Sequence, residues 1–287
     1  MVTIPAEGRW SLRALADEDA RGALAFLRRD PLINVYLISR LEEEHTVAAT
    51  QIFAVRHNSE IILVASLATN IVLAADPAVN RDLLDAAIAM IADRIVTRMM
   101  PVRAIISPAP LVERLWERLH SRLDPPTVVR MNQPIYSIRR RFDFPDLRAS
   151  RYATTRDLDQ LIPACAAMHK EEVGIDPMER DAVGYRERIR ELVEKKRAII
   201  RVDQGKIVAK CEFSAVTPEA VQLMGVWTQP YLRRQGLARE TLMEICGHVF
   251  RKGKTVTLFV NDFNRPAIGL YESMGFQRIG MNRALIW

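Results

Sequence analysis

The second half of the chain alternates between apolar stripes with helical spacing and short runs typical of strands. Leu237, Leu242, Ile245 and Val249, for example, recur with the period of one helix face. The predicted order is a strand at 151–155, helices at 157–170 and 179–195, strands at 197–202, 206–216 and 220–228, a helix at 236–250, a strand at 255–260, a helix at 266–274 and a closing pair of strands.

The first half repeats this succession without a matching sequence. Its predicted elements are a strand at 10–15, helices at 17–28 and 32–44, strands at 50–56, 61–66 and 71–74, a helix at 80–98, a strand at 103–106, a helix at 111–123 and strands at 127–129 and 135–138. A recurring order of this kind indicates duplication. The charged stretch Arg139–Ser150, which contains Pro145, has no clear periodicity. We therefore predict domains at 1–140 and 151–287, joined by a linker at 141–150.

Composition narrows the class of protein. With 49% apolar and 26% charged residues, the chain is typical of globular proteins. No apolar stretch approaches the ~20 residues that span a bilayer, and the N-terminus does not resemble a secretory signal. The 3 cysteines lack the spacing of a zinc site. These features predict a cytoplasmic protein with reduced thiols, no metal and no membrane association.

The net charge of +6 lies mostly in residues 146–287. A modest positive field there suits an anionic small molecule, although simple solubility explains it equally well. The charge is too small to indicate nucleic acid, whose binding proteins usually carry a basic stripe with interleaved aromatic residues.

The most informative segment is Gly225–Gly236, GVWTQPYLRRQG. A strand leads through a proline turn and a basic loop to Gly236, which opens an amphipathic helix. The first amides of a helix lack internal partners and carry partial positive charge, so they favour an anion. Gly236 lets the backbone approach a phosphate closely, and Arg233 and Arg234 add charge. The alternative is an ordinary strand-to-helix turn with solvated arginines.

A second segment, Asn261–Phe276, follows at the spacing expected for the next strand–helix unit. Together the two segments resemble the GNAT superfamily of N-acetyltransferases. The loop RRQGLA fits the family signature Q/R-x-x-G-x-G/A through Arg233, Gly236 and Ala238. The closing motif of the family is matched by Asn264, Ala267, Leu270, Tyr271, Glu272, Gly275 and Phe276.

The resemblance implies a fold class and a set of roles. The fold would be α/β (α+β), with two GNAT-like domains that each have a mixed, mostly antiparallel central sheet flanked by helices. Backbone groups of Val226 and Thr228 would pair with the pantetheine amides of acetyl-CoA. Asn264 would contact the pantetheine arm, and Tyr271 would protonate the departing thiolate. The diphosphate would be bound by the loop residues Arg233, Arg234, Gln235, Gly236, Leu237, Ala238 and Arg239. Arg234 departs from the family pattern, which often has glycine there.

The general base is less clearly indicated. Glu212 lies in a predicted strand, where a charge is unexpected unless it faces a cleft. Glu172 ends the first helix of this half, before a connection that usually lines the acceptor pocket in this fold. We rank these two residues together, ahead of His169, although each glutamate could be a solvated surface carboxylate. Cys211 could suggest an acyl-enzyme, but a free cysteine in a strand is more often a small buried hydrophobe.

The first half lacks the phosphate-loop features. Its corresponding segment, Ala75–Asn80, has no glycine and places Asp76 where a phosphate would lie, and Trp116 is one counterpart of Tyr271. This half is interpreted as a degenerate GNAT-like domain, similar in layout to tandem acetyltransferases such as mycothiol synthase. We expect it to pack on the active half and to shape the acceptor site.

The resemblance predicts an N-acetyltransferase that transfers acetyl from acetyl-CoA to a primary amine of a small molecule or peptide. The amine would attack directly in a ternary complex. Glu171, Glu172 and Asp176 weakly favour a cationic acceptor. One alternative is an acyl-CoA sensor without turnover. Another is that the N-terminal half serves chiefly as an oligomer interface, as in a homodimer.

Overall fold

The computed structural model describes residues 8–43, 51–139 and 143–287. Within these ranges the chain forms two compact units. Of the described residues, unit 1 takes those up to Tyr136 together with Phe259–Ile268 and Arg278–Trp287. Unit 2 takes the described residues between Ser137 and Leu258 together with Gly269–Gln277. Residues 140–142 of the predicted boundary region, including the first two residues of the predicted linker, lie outside the described residues.

The predicted order of elements is present twice. The first series is β1 Trp10–Ala14, α1 Ala20–Leu27, α2 Val35–Glu43, β2 Ile52–His57, β3 Glu60–Leu67, β4 Asn70–Ala75, α3 Arg81–Thr97, β5 Ala104–Pro108, α4 Ala109–Leu119 and β6 Val128–Ile138. The second is β7 Ser150–Tyr152, α5 Leu158–Val173, α6 Pro177–Glu194, β8 Ala198–Asp203, β9 Lys206–Val216, β10 Ala220–Thr228, α7 Leu237–Arg251, β11 Thr255–Phe259, α8 Arg265–Ser273 and β12 Gln277–Ile286. Both series follow the same succession of strands and helices.

The prediction that each half closes with a pair of strands was wrong. Each series closes with one long strand, β6 in the first and β12 in the second. In β6, Pro134 interrupts the sequence pattern without ending the strand. In β12, Gly280 stays in the strand, where Ile33 and Ile135 occupy the space that a side chain would need. Gly280 therefore reflects close packing within the strand, and Pro134 is accommodated inside a strand; neither residue marks a turn.

The sheet of unit 1 has the strand order β1-β2-β3-β4-β5-β12-β6. The last strand of the chain pairs antiparallel with β5, from Asn282 opposite Pro108 to Ile286 opposite Ala104. β4 and β5 are parallel, and the pairs from β1 to β4 are antiparallel. Unit 1 thus includes Arg278–Trp287 from the end of the chain. A division of the chain at one linker, at 141–150, assigns this segment to the second half.

Unit 2 has the strand order β7-β8-β9-β10-β11. β10 and β11 are parallel, and the other neighbours are antiparallel. On one face, residues of α5 and α6 form an apolar cluster with β8 and β9; its members include Leu161, Cys165, Ile189 and Ile200. These features confirm the predicted fold class of mixed, mostly antiparallel sheets flanked by helices.

The described part of the predicted linker, residues 143–150, lies against α7 in unit 2. A side chain at Gly247 would approach the Pro145 carbonyl oxygen to 1.9 Å, so only glycine permits this contact. Further along, the Glu244 carboxylate accepts hydrogen bonds from the amides of Ala149 and Ser150. The segment is therefore fixed on the helix by backbone contacts.

Candidate functional site

The loop between β10 and α7 has the backbone geometry of an anion site. After β10 ends at Thr228, a 3₁₀ turn covers Pro230–Leu232, and two left-handed residues follow, Arg234 at φ +63° and Gly236 at φ +84°. Glycine adopts this region at little cost, whereas a residue with a side chain pays about 1 kcal/mol or more. The requirement for positive φ explains why Gly236 occurs here and why a second glycine would be favourable at Arg234.

The amides at the start of α7 have no side-chain cap. Gly236 is the N-cap residue, and no side-chain hydrogen bond caps the helix within the described residues. The first amides of any helix lack intrahelical partners, and the helix dipole adds partial positive charge. The start of α7 therefore offers donors to a ligand.

The corresponding helix of unit 1 is capped. The Asn80 side chain accepts hydrogen bonds from the amides of Asp82, at 2.8 Å, and Leu83, at 3.4 Å. Nearby, Asp76 pairs with Arg29 at 2.6 Å, and a backbone hydrogen bond from Ala78 together with this arginine lowers the pKa of its carboxyl. The start of α3 thus combines satisfied amides with a carboxylate, an arrangement unfavourable to phosphate.

Arg233 does not point freely into solvent. Its guanidinium donates to both carboxylate oxygens of Glu171, at 2.7 and 3.0 Å, and its Nε donates to the Thr228 carbonyl at 3.1 Å. It therefore ties the loop to the last turn of α5 and to the end of β10. Arg239, in the first turn of α7, donates to the Ser273 hydroxyl at 2.8 Å and so links α7 to α8.

The ladder between β9 and β10 is interrupted beside this loop. Met224 pairs with Glu212 and Trp227 with Lys210, so Gly225 and Val226 together oppose Cys211. Two residues opposite one define a β-bulge, which bends the strand and disrupts its hydrogen bonding. The bulge lies at Val226, one of the two residues predicted to pair with pantetheine.

Tyr271 lies in α8 and is buried, with its ring 5.6 Å from that of Phe276. Burial raises the pKa of its phenol, and the charge of Glu172 acts in the same direction. The exposed Glu172, in the last turn of α5, is therefore electrostatically coupled to Tyr271.

Glu212 has a different environment. Its side chain is 2% exposed and forms an ion pair with Lys210 at 2.6 Å, and Arg188 lies 3.7 Å from its other oxygen. Burial opposes ionisation, but the charge of Lys210 outweighs it with help from Arg188, so the pKa of Glu212 lies below its ordinary value. A carboxylate held in this way is a weaker base than one facing solvent.

Asn264 precedes α8, and its side-chain oxygen accepts a hydrogen bond from the Ala267 amide at 3.3 Å. This contact caps the helix that carries Tyr271. The predicted contact of Asn264 with pantetheine stays a prediction.

The cysteines are all buried, and burial raises the pKa of each thiol, to about 12 for Cys165 and Cys211. A thiol that resists ionisation is a poor nucleophile, which favours the structural role predicted for Cys211. Among the described residues, no cluster of at least three His, Cys, Asp or Glu side chains could hold a metal ion. No helix in the described ranges is long and apolar enough to cross a bilayer.

Sequence reasoning missed Lys210. It alternates with Glu212 in β9, so both side chains lie on one face of the sheet. Two opposite charges at i and i+2 in an otherwise apolar strand are the signal that could have identified this pair.

Two family models match parts of the chain. Residues 198–286 match FR47-like protein, and residues 50–161 match a domain of unknown function (DUF4081). The first match covers β8 to β12, including the bulged strand, the loop between β10 and α7, and α8. No curated protein matches the sequence.

Solved structures with the same fold match along nearly the whole chain. A GNAT-family acetyltransferase from Colwellia psychrerythraea is 14% identical, with 97% of this chain and 100% of that chain covered and a TM-score of 0.58. A GCN5-related N-acetyltransferase from Sphaerobacter thermophilus is 16% identical, with coverages of 98% and 96% and a TM-score of 0.57. A tandem GNAT protein from the clavulanic acid biosynthesis pathway is 13% identical, with coverages of 97% and 98% and a TM-score of 0.55.

The family-model match and the shared fold confirm the predicted resemblance to the GNAT superfamily in a tandem arrangement. At these identities the solved structures establish the fold.

Proposed function

We propose that this chain, which has the fold of tandem GNAT acetyltransferases, is an acetyl-CoA-dependent N-acetyltransferase acting on a primary amine of a small molecule or peptide. The observation that carries the proposal is the uncapped start of α7, directly after the bulged strand β10. In unit 1 the helix in the equivalent position of the succession, α3, is instead capped by Asn80.

The diphosphate of CoA would lie against the amides from Arg234 to Arg239. These amides present hydrogen-bond donors and the positive end of the helix dipole to an anion. Arg234 is exposed in the loop and would add a charge. Arg233, bound to Glu171, would act by holding the loop in shape.

The pantetheine arm would extend along β10. At the bulge, Val226 is partly accessible, as an added strand requires. Thr228 is buried, and its carbonyl oxygen already accepts a hydrogen bond from the Nε of Arg233. The Thr228 amide is therefore the group that would bind pantetheine. Asn264 would contact the arm near its thiol end.

The reaction would begin with removal of a proton from the ammonium of the acceptor. We favour Glu172 as the base, directly or through water, because it is exposed and coupled to Tyr271, whereas Glu212 is buried in an ion pair. The free amine would attack the thioester carbonyl to give a tetrahedral intermediate. The carbon–sulfur bond would break as this intermediate collapses, and the nitrogen would lose its second proton to water to leave the neutral amide. The thiolate leaves with the electron pair of the carbon–sulfur bond, and Tyr271 would protonate it.

Tyr271 would hold the proton for this step, because its phenol is protonated throughout the neutral range. Burial raises the pKa of the phenol and so makes it a weaker acid, and the transfer would therefore depend on direct contact with the departing sulfur. The phenol proton would be replaced from solvent after each turnover. The orientation of amine and thioester in one complex would supply much of the remaining rate acceleration.

The experiment that tests the proposal compares the wild type with Tyr271→Phe. Acetyl-CoA would be incubated with a panel of primary amines, and free thiol would be measured. We expect thiol release by the wild type, a loss of kcat of about 100-fold or more in the variant, and CoA affinity within about threefold of the wild type by calorimetry.

Tyr152→Phe is the matched control, because Tyr152 bonds to His248 near the opposite end of α7. Equal rates for wild type and Tyr271→Phe would contradict the role of the phenol. Tight binding of acetyl-CoA without thiol release for any amine would favour the acyl-CoA sensor.

A further inference from the structure

A buried ion pair lies in β9, directly behind the bulge of β10. The Lys210 side chain is 0% exposed and that of Glu212 2%, and their charged atoms are 2.6 Å apart. Burying two charges costs several kcal/mol per ion, and a well-packed apolar pair often serves stability equally well. The presence of this pair therefore calls for an explanation beyond stability.

Lys210 also binds the bulge itself. Its ammonium donates to the Gly225 carbonyl oxygen at 3.1 Å, in addition to its bond with Glu212. The Met168 sulfur lies 3.4 Å away on the α5 side. The ammonium is thus held between the Glu212 carboxylate and one particular peptide group of β10.

Gly225 is required for this contact. Its φ of +61° is in the left-handed region, and a side chain there would lie 3.0 Å from both the Lys210 ammonium and the Glu212 carboxylate. Glycine therefore allows the backbone of the bulge to approach the ion pair. The conformation of the bulge and the position of the pair depend on each other.

The carbonyl of Gly225 and the amide of Val226 belong to the same planar peptide group. In a trans peptide the C=O and N–H bonds point in opposite directions, so a cation that fixes the oxygen also fixes the N–H. A charged donor on the oxygen also polarises the peptide and strengthens the N–H as a hydrogen-bond donor. Lys210 consequently controls both the direction and the strength of the Val226 amide.

We propose that Lys210, held by Glu212, is a positioning residue that aims and polarises the Val226 amide toward the thioester carbonyl of acetyl-CoA. This inference rests on the proposed function, in which the pantetheine arm of acetyl-CoA extends along β10 past Val226. The amide would donate to the carbonyl oxygen as negative charge develops in the tetrahedral intermediate. Donors fixed in advance at such a position typically contribute more to the transition state than to substrate binding.

The test replaces both charges so that neither is left unpaired. Lys210→Met with Glu212→Gln gives a neutral pair of similar volume. Thermal unfolding reports folding, calorimetry with CoA reports cofactor binding, and infrared spectroscopy of bound acetyl-CoA labelled with ¹³C at the thioester carbonyl reports hydrogen bonding to that oxygen. Ser214→Ala is the matched control, because Ser214 bonds to Gln222 across the same two strands without contacting the bulge.

We expect the double variant to bind CoA within about threefold of the wild type and to show the labelled carbonyl band at higher frequency, as for a weaker hydrogen bond. With an accepted amine, kcat should fall about tenfold or more while the KM for acetyl-CoA changes little. Ser214→Ala should match the wild type in the carbonyl band and in kcat.

A folded double variant with the wild-type carbonyl band and kcat overturns the inference and leaves the acetyltransferase proposal intact. A wild type that does not bind acetyl-CoA overturns both. Should the double variant unfold, Lys210→Gln with Glu212→Gln removes the same charges while keeping hydrogen-bonding groups, and the same outcomes apply to it.

Discussion

One guanidinium nitrogen of Arg233, Nη2, donates to both carboxylate oxygens of Glu171, at 2.7 and 3.0 Å, and so joins the loop between β10 and α7 to the last turn of α5. The sequence signature assigns this arginine to the cofactor, but its guanidinium is occupied by protein groups. The side chains are 45% and 44% exposed, so the pair contributes less than about 1 kcal/mol.

This geometry predicts that Arg233→Gln and Glu171→Gln have similar effects on CoA binding. Each should raise the Kd for CoA by less than about fivefold, because each removes the same contact between the loop and α5. Calorimetry on both single variants and on the double variant measures this. If Arg233→Gln weakens CoA binding far more than Glu171→Gln does, the arginine contacts phosphate directly.

Gly236→Ala should lose both stability and CoA affinity. The φ of +84° costs an alanine about 1–2 kcal/mol, and the added carbon lies where a phosphate must approach, so affinity should fall about tenfold or more. Gly253, at φ +73° just after α7, is the control, since alanine there pays a similar backbone cost away from the loop. Equal CoA affinity in the two variants would argue against the loop assignment.

Gly247→Ala should lower the free energy of unfolding by about 1–3 kcal/mol, because the new methyl group meets the Pro145 carbonyl. Gly22, inside α1, has open space around it. Gly22→Ala should therefore be stabilising by about 0.5–1 kcal/mol through the lower entropy of the unfolded chain. Chemical denaturation measures both, and a Gly247→Ala variant as stable as the wild type would show that residues 143–146 do not need this contact.

The stability contributed by Asp146 should depend on pH. A backbone hydrogen bond from Leu147, followed by hydrogen bonds from Arg251 and His248, lowers the pKa of its carboxyl from 3.8 to about 2. Because the carboxyl has a lower pKa in the folded state than in the unfolded state, it stabilises the fold fully at pH values above its unfolded pKa. This stabilisation is lost as the pH falls through the folded pKa of about 2. Asp146→Asn should lower Tm by about 1–3 °C at pH 6. The difference should disappear toward pH 2 in a series of thermal melts, and a constant difference would contradict this account.

The elements and their order could be predicted because they depend on local periodicity and capping. The start of α7 at Gly236 is an example, since the glycine, the preceding turn and the apolar stripe lie together in the sequence. The pairing of β12 with β5 could not be predicted, because strand neighbours far apart in the chain leave no local signal.

The same limit applies to the site. Short motifs were enough to predict a phosphate-binding loop and a role for Tyr271. The partners of Arg233 and Glu212 become visible only when α5, β9 and β10 are placed together. From the sequence, Glu212 was interpreted either as a carboxylate facing a cleft or as a solvated surface carboxylate. The structure instead pairs it with Lys210, two residues earlier on the same face of the strand.

The central claim is that the diphosphate of CoA binds the open start of α7, and a crystal structure of the protein with acetyl-CoA tests it most directly. We expect diphosphate oxygens within hydrogen-bonding distance of amides between Arg234 and Arg239, with the pantetheine arm along β10. Acetyl-CoA bound elsewhere, with these amides facing only solvent, would contradict the account.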